Sequence, residues 1–416
     1  MGSEVSFEEA VQKNLPRNYL AQLAHGLFGQ TGFRLVQAPT FIPAYIYGLS
    51  GSELLVGLAR ASQALGQALT PVMGATLIEH RPRVLSVALV VGALMRLQVL
   101  GIALAGIFLP TSWNLAAICL LLGLFGFFLG IQGVVFNFLR AKTIPREHRG
   151  VLAGLRNALA GIAASGVAYL GGRYLIEPNA LGNGYAATFL VAFVLTSLGL
   201  SMLAFVREPD TPQIRARTGL LARLRDLPEL LRSDREFTLY LLARALGSMG
   251  RMAMPYYVLF AATRMELSGA TLGLLTAAFL LGQTALNLGW GILADRRGFR
   301  IVFNGSLLIW IVGVLMLIQA TDITSVSLVF VALGTGVGGF MMAAQNLALE
   351  FGSLVNLPMR IAVANSVADL ATIVGPILGG LLVISVSFLP VFWIAILFKC
   401  AAIAMMTLYV PEPRNR

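Results

Sequence analysis

Residues 19–47 read YLAQLAHGLFGQTGFRLVQAPTFIPAYIY, an apolar run that nevertheless carries an arginine, Arg34, near its middle. A helix needs about 20 residues to cross the hydrocarbon core of a bilayer, and this run is long enough. Gln22, Gly26, Gln30, Arg34 and Gln37 follow one another at steps of 4, 4, 4 and 3, so they share one helix face. A charge at mid-membrane costs at least about 2.5–3.5 kcal/mol on insertion scales unless it is paired or faces water. The polar face is therefore expected to line a path around which the other helices are arranged. The competing reading has Arg34 pinning neighbouring helices.

The whole chain has this character. Of its 416 residues 57% are hydrophobic and 12% charged, and the mean hydropathy is +0.80. A soluble domain carries about 25% charged residues, so this is an integral membrane protein. The net charge of +11 does not indicate nucleic acid, because the arginines lie between apolar segments, where topology explains them. Cys119 and Cys400 sit inside apolar segments, and His25, His80 and His148 are scattered. No disulfide framework, metal spacing or nucleophile–base set is visible, so neither enzyme activity nor a cofactor is expected. Residues 1–17 are polar, with Glu4, Glu8 and Glu9, and do not read as a cleavable signal peptide. Lysine is scarce (Lys13, Lys142, Lys399) and arginine abundant, which points to a GC-rich bacterial genome and a multi-pass protein of the inner, cytoplasmic membrane. A monomer is expected.

Twelve apolar segments can be drawn, at 19–47, 53–79, 84–109, 113–140, 150–174, 186–206, 237–262, 269–294, 299–320, 325–350, 359–387 and 389–410. With the N-terminus in the cytoplasm, 21 of the 30 lysines and arginines fall on the cytoplasmic side and only Arg173 and Arg264 on the other. That bias places both termini in the cytoplasm. The remaining seven lie within spans: Arg34, Arg60, Arg96, Arg156, Arg244, Arg251 and Lys399. Leu49-Ser50-Gly51 opens the second span and Leu267-Ser268-Gly269 the eighth. Val206-Arg207-Glu208-Pro209 ends the sixth and Val410-Pro411-Glu412-Pro413 the twelfth. Two halves of like sidedness are parallel repeats. The expected organisation is an N-terminal six-helix bundle over 1–206, a cytoplasmic linker over 207–236 and a C-terminal bundle over 237–416. Leu220, Leu221, Leu224, Leu227 and Leu231 give the linker the pattern of an amphipathic surface helix.

Residues 291–300 read Gly-Ile-Leu-Ala-Asp-Arg-Arg-Gly-Phe-Arg. This stretch resembles the G-x-x-x-D-R-x-G-R loop signature of the major facilitator superfamily, here after the eighth span. The resemblance implies an all-α fold of twelve transmembrane helices in two six-helix bundles and secondary transport by rocking of those bundles about a central site. It also implies that helices 1, 4, 7 and 10 line the cavity and that 2, 5, 8 and 11 flank it. The first-half copy of the signature, residues 74–83, has Ile78 in place of the aspartate, with Glu79 next to it. The Gly-Pro motif that marks the fifth helix of the superfamily's drug:proton antiporters is absent there, and a Gly375-Pro376 pair sits in the eleventh span instead. The loop signature also has a physical reading. Asp295 ends the eighth span, where a carboxylate can accept hydrogen bonds from the free N–H groups that start the fifth span near Gly150–Val151. Arg296 and Arg300 would orient it, and Gly291 and Gly298 complete the signature. Together these residues form the expected gate.

The polar residues inside the spans fall mostly on the helices so implied. They include Arg60, Gln63, Gln67 and Gly74 in the second, Arg244, Ser248, Arg251 and Pro255 in the seventh, and Gln283 and Asn287 in the eighth. Gln345 and Asn346 lie in the tenth, and Asn365, Asp369, Thr372 and Pro376 in the eleventh. Against seven cations, Asp369 is the only acid deep within a span. The missing counter-charge must come from water or from a bound anion. Arg34 and Arg251, on the equivalent first and seventh helices, could hold a carboxylate or phosphate by forked hydrogen bonds. With Gln30, Gln37, Gln345 and Asn346 they form the expected substrate site. Asp369 is the expected proton carrier, with His25 next in line. The partners expected are a small organic anion with an apolar part, protons and the lipid bilayer. Two alternatives stay open: an exporter of hydrophobic or cationic compounds or lipids, and a membrane protein that delivers or assembles a lipophilic cofactor.

Overall fold

The computed structural model describes residues 2–68, 70–78, 80–210, 231–232, 234–351 and 357–411, and these are helical with no strand among them. The first half contains α1 (Gly2–Lys13), α2 (Leu15–Gln37), α3 (Phe41–Ser50), α4 (Glu53–Ala68), α5 (Thr70–Ile78), α6 (Leu85–Phe108), α7 (Thr111–Thr143), α8 (Arg146–Gly171) and α9 (Gly184–Leu203). The second contains α10 (Arg235–Met249), α11 (Tyr257–Ala262), α12 (Gly269–Ala285), α13 (Asn287–Arg297), α14 (Phe299–Gln319), α15 (Ile323–Glu350), α16 (Leu357–Ser385) and α17 (Phe388–Tyr409). Most of the linker in which an amphipathic helix was expected lies outside the described residues. The short helix α1 ahead of the first span was not foreseen.

Among the described residues, nine helical stretches are long and apolar enough to cross a membrane. Of the other three spans, the first and seventh are composite, where continuous helices were expected. The first span is α2 and α3, broken at Ala38–Thr40: Pro39 forces Ala38 to an extended ψ of 141°. In the second, α4 and α5 flank residue 69, which lies outside the described residues. The seventh is α10 and α11 joined by a 3-10 turn, Gly250–Tyr256, that contains Pro255. Proline removes a backbone donor and crowds the preceding turn, so the helix tightens or breaks there. The first and seventh spans are equivalent in the repeat, so both halves interrupt the same helix.

The halves pack alike. In the first, α4 lies on α7, and in the second α12 lies on α15. A Cβ at Gly66 would sit 2.0 Å from the Gly123 carbonyl oxygen, and one at Gly282 2.1 Å from that of Val331. Only glycine permits such approach of two backbones. The inner end of the first half is tied by Glu208, from the Val-Arg-Glu-Pro exit of the sixth span. Its carboxylate accepts from the Val84 and Leu85 N–H groups at 2.8 Å and pairs with Lys142 Nζ at 2.8 Å. The repeated exit motif is thus, in this half, a cap on α6.

Two seams join the halves, α4 against α16 and α8 against α12. Both run from the outer ends to mid-depth. At the outer end Tyr256 Oη reaches across to the Glu53 carbonyl at 3.4 Å, and the Thr40 and Thr276 hydroxyls meet at 2.7 Å. At mid-depth Ser366 Oγ donates to the Ala68 carbonyl at 3.4 Å. Among the described residues no comparable seam joins α5 to α16 or α8 to α13, so the halves part toward the arginine-rich, cytoplasmic side. The gate aspartate belongs to this open side, and the Asp295 side chain lies outside the described residues.

The outer seam has a latch that mirrors the expected inner one. Glu177, just beyond the fifth span, accepts a hydrogen bond from the Ala270 N–H (2.8 Å) at the start of α12. That N–H, then the Ser268 hydroxyl, the Gly269 N–H and the Arg173 charge hold the Glu177 carboxyl below the usual range. A depressed carboxyl pKa stabilises the charged contact fully above the unfolded value of about 4.3 and loses it as pH falls through the lowered value. The latch is therefore complete at neutral external pH. Glu177→Gln removes the charge facing the helix N-terminus. It should raise labelling from the outside of a single cysteine at Thr40, in a background lacking Cys119 and Cys400, by roughly two- to five-fold. Unchanged labelling would show that Glu177 does not hold the outer side shut.

Candidate functional site

The polar residues of the first, second, seventh and eleventh spans converge where the seams end. The break after α2 places the Ala38 carbonyl beside the second span, and Arg60 Nη2 donates to it at 2.8 Å. Arg60 Nη1 also donates to Gln63 Oε1 (3.1 Å), and Gln63 Nε2 to Gln37 Oε1 (2.6 Å). Gln67 Nε2 reaches across the seam to Asp369 Oδ1 at 3.5 Å, the long limit of a hydrogen bond. Arg34 crosses elsewhere, donating to Thr284 Oγ1 at 2.7 Å and to the Asn157 carbonyl at 3.4 Å.

Arg251 sits in the 3-10 turn of the seventh span. It makes no hydrogen bond among the described residues, and its Nε is buried without a partner. The charges that reach it are those of Asp369 and Arg244, and its own reaches Arg60. No cation stands within 4 Å of Asp369 among the described residues, so the aspartate and Arg251 are neighbours without a direct ion pair. The structure thus gathers Gln37, Arg251 and Asp369 around Arg60, Gln63 and Gln67, while Arg34 is engaged with Thr284 rather than sharing a partner with Arg251. Gln345 is exposed, and Asn346 turns back to the Met342 carbonyl at 2.8 Å. Gln30 is half-buried with Oε1 unpartnered. His25 lies apart, inside the N-terminal half, with its ring edge on Phe136 at 5.1 Å.

The remaining intramembrane cations rest mainly on backbone oxygens. Arg96 donates to the Thr196 and Gly92 carbonyls (2.6 and 2.7 Å) and to Gln132 Oε1 (3.2 Å). Arg244 donates to the Ala344 carbonyl (3.1 Å), the Tyr240 hydroxyl (3.2 Å) and Asn365 Oδ1 (2.8 Å). Lys399, fully buried, donates to the Gly250 carbonyl at 2.7 Å and lies 4.5 Å from the Trp310 ring centre. Only Arg156 and Arg251 make no hydrogen bond among the described residues.

Around the gate signature, Gly298 has φ +83°, which glycine adopts without strain. Gly291 has open space where a Cβ would project. Arg296 is exposed, and Arg300 Nη2 donates to the Thr407 carbonyl in α17 at 2.6 Å. The sequence reading missed Thr284 as the partner of Arg34 and Glu177 as an outer latch. The repeated Leu-Ser-Gly that opens the second and eighth spans marked the eighth-span end of that latch, but nothing in the sequence marked its carboxylate.

Residues 239–416 match the family model of the Major Facilitator Superfamily. Curated uncharacterized MFS-type transporters from two strains of Mycobacterium tuberculosis are each 28% identical over 134 residues. That match takes in 32% of this chain and 20% of theirs, so the chain aligns with about a fifth of the length of these relatives. Among solved structures, a nucleoside transporter superposes with a TM-score of 0.70 at 12% identity, over 94% of this chain and 99% of that one. A D-xylose-proton symporter gives 0.72 at 15% identity, over 96% and 99%. At these identities the likeness is one of fold.

The two kinds of buried cation should respond differently to substitution. Lys399 rests on carbonyls and pairs with no carboxylate among the described residues, so replacing it by an apolar side chain of similar volume removes a desolvated charge without stranding an opposite one. Lys399→Met should therefore fold with stability within about 2 kcal/mol of the parent and keep its transport, read by thermal melting and by uptake into proteoliposomes. Loss of transport with an unaltered melt would give Lys399 a functional role.

Proposed function

We propose that the chain is a secondary transporter of the major facilitator superfamily, working by alternating access and carrying a small organic anion with an apolar part, coupled to protons. The observation that carries the substrate class is Arg251. It is a guanidinium inside the membrane, at the seam of the two halves, with no hydrogen-bond partner among the described residues. A guanidinium offers a rigid fork of donors that fits a carboxylate or phosphate. The two solved neighbours are named for a nucleoside and for D-xylose, and they lend this chain their fold alone. The substrate reading rests on this chain's own charges.

In this reading the anion enters from the cytoplasmic opening, or leaves through it, and docks on Arg251, with Gln37 and Gln67 nearby. The arrangement seen here is the inward-open one. Rocking to the outward-open state breaks the outer contacts of Glu177 and Thr40 and brings together the inner ends of α8 and α13. There Asp295 would take the N–H groups at the start of α8, held by the loop of Gly291, Arg296, Gly298 and Arg300. Asp369 is the proton carrier. Burial favours its neutral form and the Arg251 charge its ionised form, so a change in either tips the balance. An anion docked on Arg251 offsets that charge and favours proton uptake by Asp369, which couples the two cargoes in the same direction. The mycobacterial relatives fit a bacterial protein, and the inner membrane is the proposed location. The proposed units are the bundles 1–206 and 237–416 with the linker 207–236 between them, in a monomer.

Proteoliposome uptake of a panel of organic anions, with and without a pH gradient, tests the reading. Arg251→Gln should weaken an anionic substrate about 10- to 150-fold, the loss of one charge-assisted hydrogen bond of roughly 1.5–3 kcal/mol. Normal affinity in that variant would place the anion elsewhere. Asp369→Asn, which mimics the protonated form, should still exchange substrate across the membrane but fail to concentrate it when driven by pH. Surviving pH-driven accumulation would move the coupling site away from Asp369.

A further inference from the structure

A second polar cluster lies within the N-terminal half, toward its cytoplasmic end. Gly26 of α2 leaves room for Arg156 of α8: a Cβ at Gly26 would sit 2.1 Å from Arg156 Nε. One turn on, Gly29 leaves room for the His25 ring, whose Nδ1 lies 3.3 Å from the position of a Cβ, and for Arg96 Nη2 at 3.9 Å. Gln22, His25 and Arg156 are 2%, 6% and 6% exposed. Each keeps a buried nitrogen without a hydrogen-bond partner: Gln22 Nε2, His25 Nδ1 and Arg156 Nε. Buried polar atoms in native proteins are nearly always satisfied, so three orphans on neighbouring elements mark a place for something else.

The chemistry of that occupant follows from what surrounds it. An amide NH2 and a guanidinium donate only, and an imidazole nitrogen donates in one of its tautomers. The charges that reach His25 are those of Arg156, Arg96 and Arg140, all cationic, with no carboxylate among them. Arg96 is already engaged on two carbonyls and Gln132. Water would satisfy single donors but would leave this excess of positive charge. Arg140 of α7 reaches this cluster, its charge acting on both His25 and Arg156. On that helix Gly133 has open space where a Cβ would project, Asn137 is exposed, and half-buried Arg140 donates to Asn137 Oδ1 at 2.5 Å. These residues follow one another at i, i+4 and i+7, on one helix face.

We propose that Gln22, His25, Arg156 and, at the mouth, Arg140 form an anion-binding pocket of the N-terminal half that takes the oxyanion of a phosphate or carboxylate group from the cytoplasmic side. The pocket is distinct from the site on Arg251. The charges reaching Arg251 are Asp369 and Arg244, and the two sets share no member. It does not depend on the substrate assigned to Arg251.

The test uses the full chain in detergent, titrated with inorganic phosphate and separately with acetate. Ionic strength is held constant with chloride, and thermal melting is the readout. A saturable rise in melting temperature with one of these anions is expected. Arg156→Gln should weaken that binding about tenfold or more, the loss of one charge-assisted hydrogen bond. Gln22→Leu, which leaves the charges in place, should weaken it by a smaller factor and serves if Arg156→Gln does not fold. Arg251→Gln should keep a saturable effect, because the pocket does not include Arg251. Absence of any saturable effect, or titration of both Arg156→Gln and Gln22→Leu like the parent, would overturn the pocket, as would its loss in Arg251→Gln alone. Where binding is present, inhibition of transport by phosphate from the cytoplasmic side that is relieved in Arg156→Gln assigns the pocket to the head group of the transported anion. Binding without inhibition assigns it to a free cytoplasmic anion.

Discussion

Six arginines and a lysine lie within the spans, with one aspartate among them, and the rest of the structure follows from how those charges are kept out of lipid. Removing an ion from water costs several kcal/mol even after relaxation, and one carboxylate does not offset seven such costs. The fold answers with backbone oxygens, several of them at or beside a broken helix. The break after α2 puts the Ala38 carbonyl in reach of Arg60, and the 3-10 turn of the seventh span begins at Gly250, whose carbonyl takes Lys399. The prolines that interrupt the first and seventh spans are therefore part of the electrostatics as well as of the shape. After this satisfaction two guanidiniums remain without hydrogen bonds among the described residues: Arg251 at the seam and Arg156 inside the N-terminal half. Those two positions are where we propose that an anion binds.

The same seam that carries the charges sets the motion. Glycines let α4 and α7, and α12 and α15, lie backbone to backbone, so each half is stiff. Between the halves the polar contacts include Tyr256 on the Glu53 carbonyl, Thr40 on Thr276, Arg34 on Thr284, Gln67 on Asp369 and Glu177 at the start of α12. Each is a hydrogen bond that water can replace when the seam opens. Glu177 at the end of the fifth span faces the start of the eighth. The loop signature leads one to expect Asp295, near the end of the eighth, to face the start of the fifth when the inner side closes. Two carboxylates so placed would serve opposite sides of the membrane, which is the arrangement a two-state rocking device needs.

What was legible in the sequence was whatever is written along one dimension. Apolar length and the placement of arginine fixed the spans and their sidedness, and the repeated Leu-Ser-Gly and the 291–300 loop pointed to two like halves. The stripe Gln22, Gly26, Gln30, Arg34, Gln37 was correctly one helix face, yet the structure divides it. Gly26 faces Arg156, while Arg34 reaches the second half. Periodicity gives the face of a helix but not which neighbour covers each turn of it. The anticipated pairing of Arg34 with Arg251 rested on equivalent positions, and Thr284, a single hydroxyl in an apolar helix, gave no signal that it would take Arg34. Carbonyl partners for Lys399, Arg60 and Arg244 were invisible for a simpler reason: every residue has a carbonyl, and only the fold selects which one is offered.

The most direct test of the central claim, that this protein is a transporter moving an anion together with protons, is substrate-driven proton movement. Proteoliposomes loaded with a pH-sensitive dye are given candidate substrates from outside with no imposed gradient, the membrane potential being clamped. The account predicts that an organic anion acidifies the interior and that the signal disappears in Asp369→Asn. Alkalinisation of the interior by hydrophobic cations, with no response to any anion, would contradict it and make the protein an antiporter of cationic compounds.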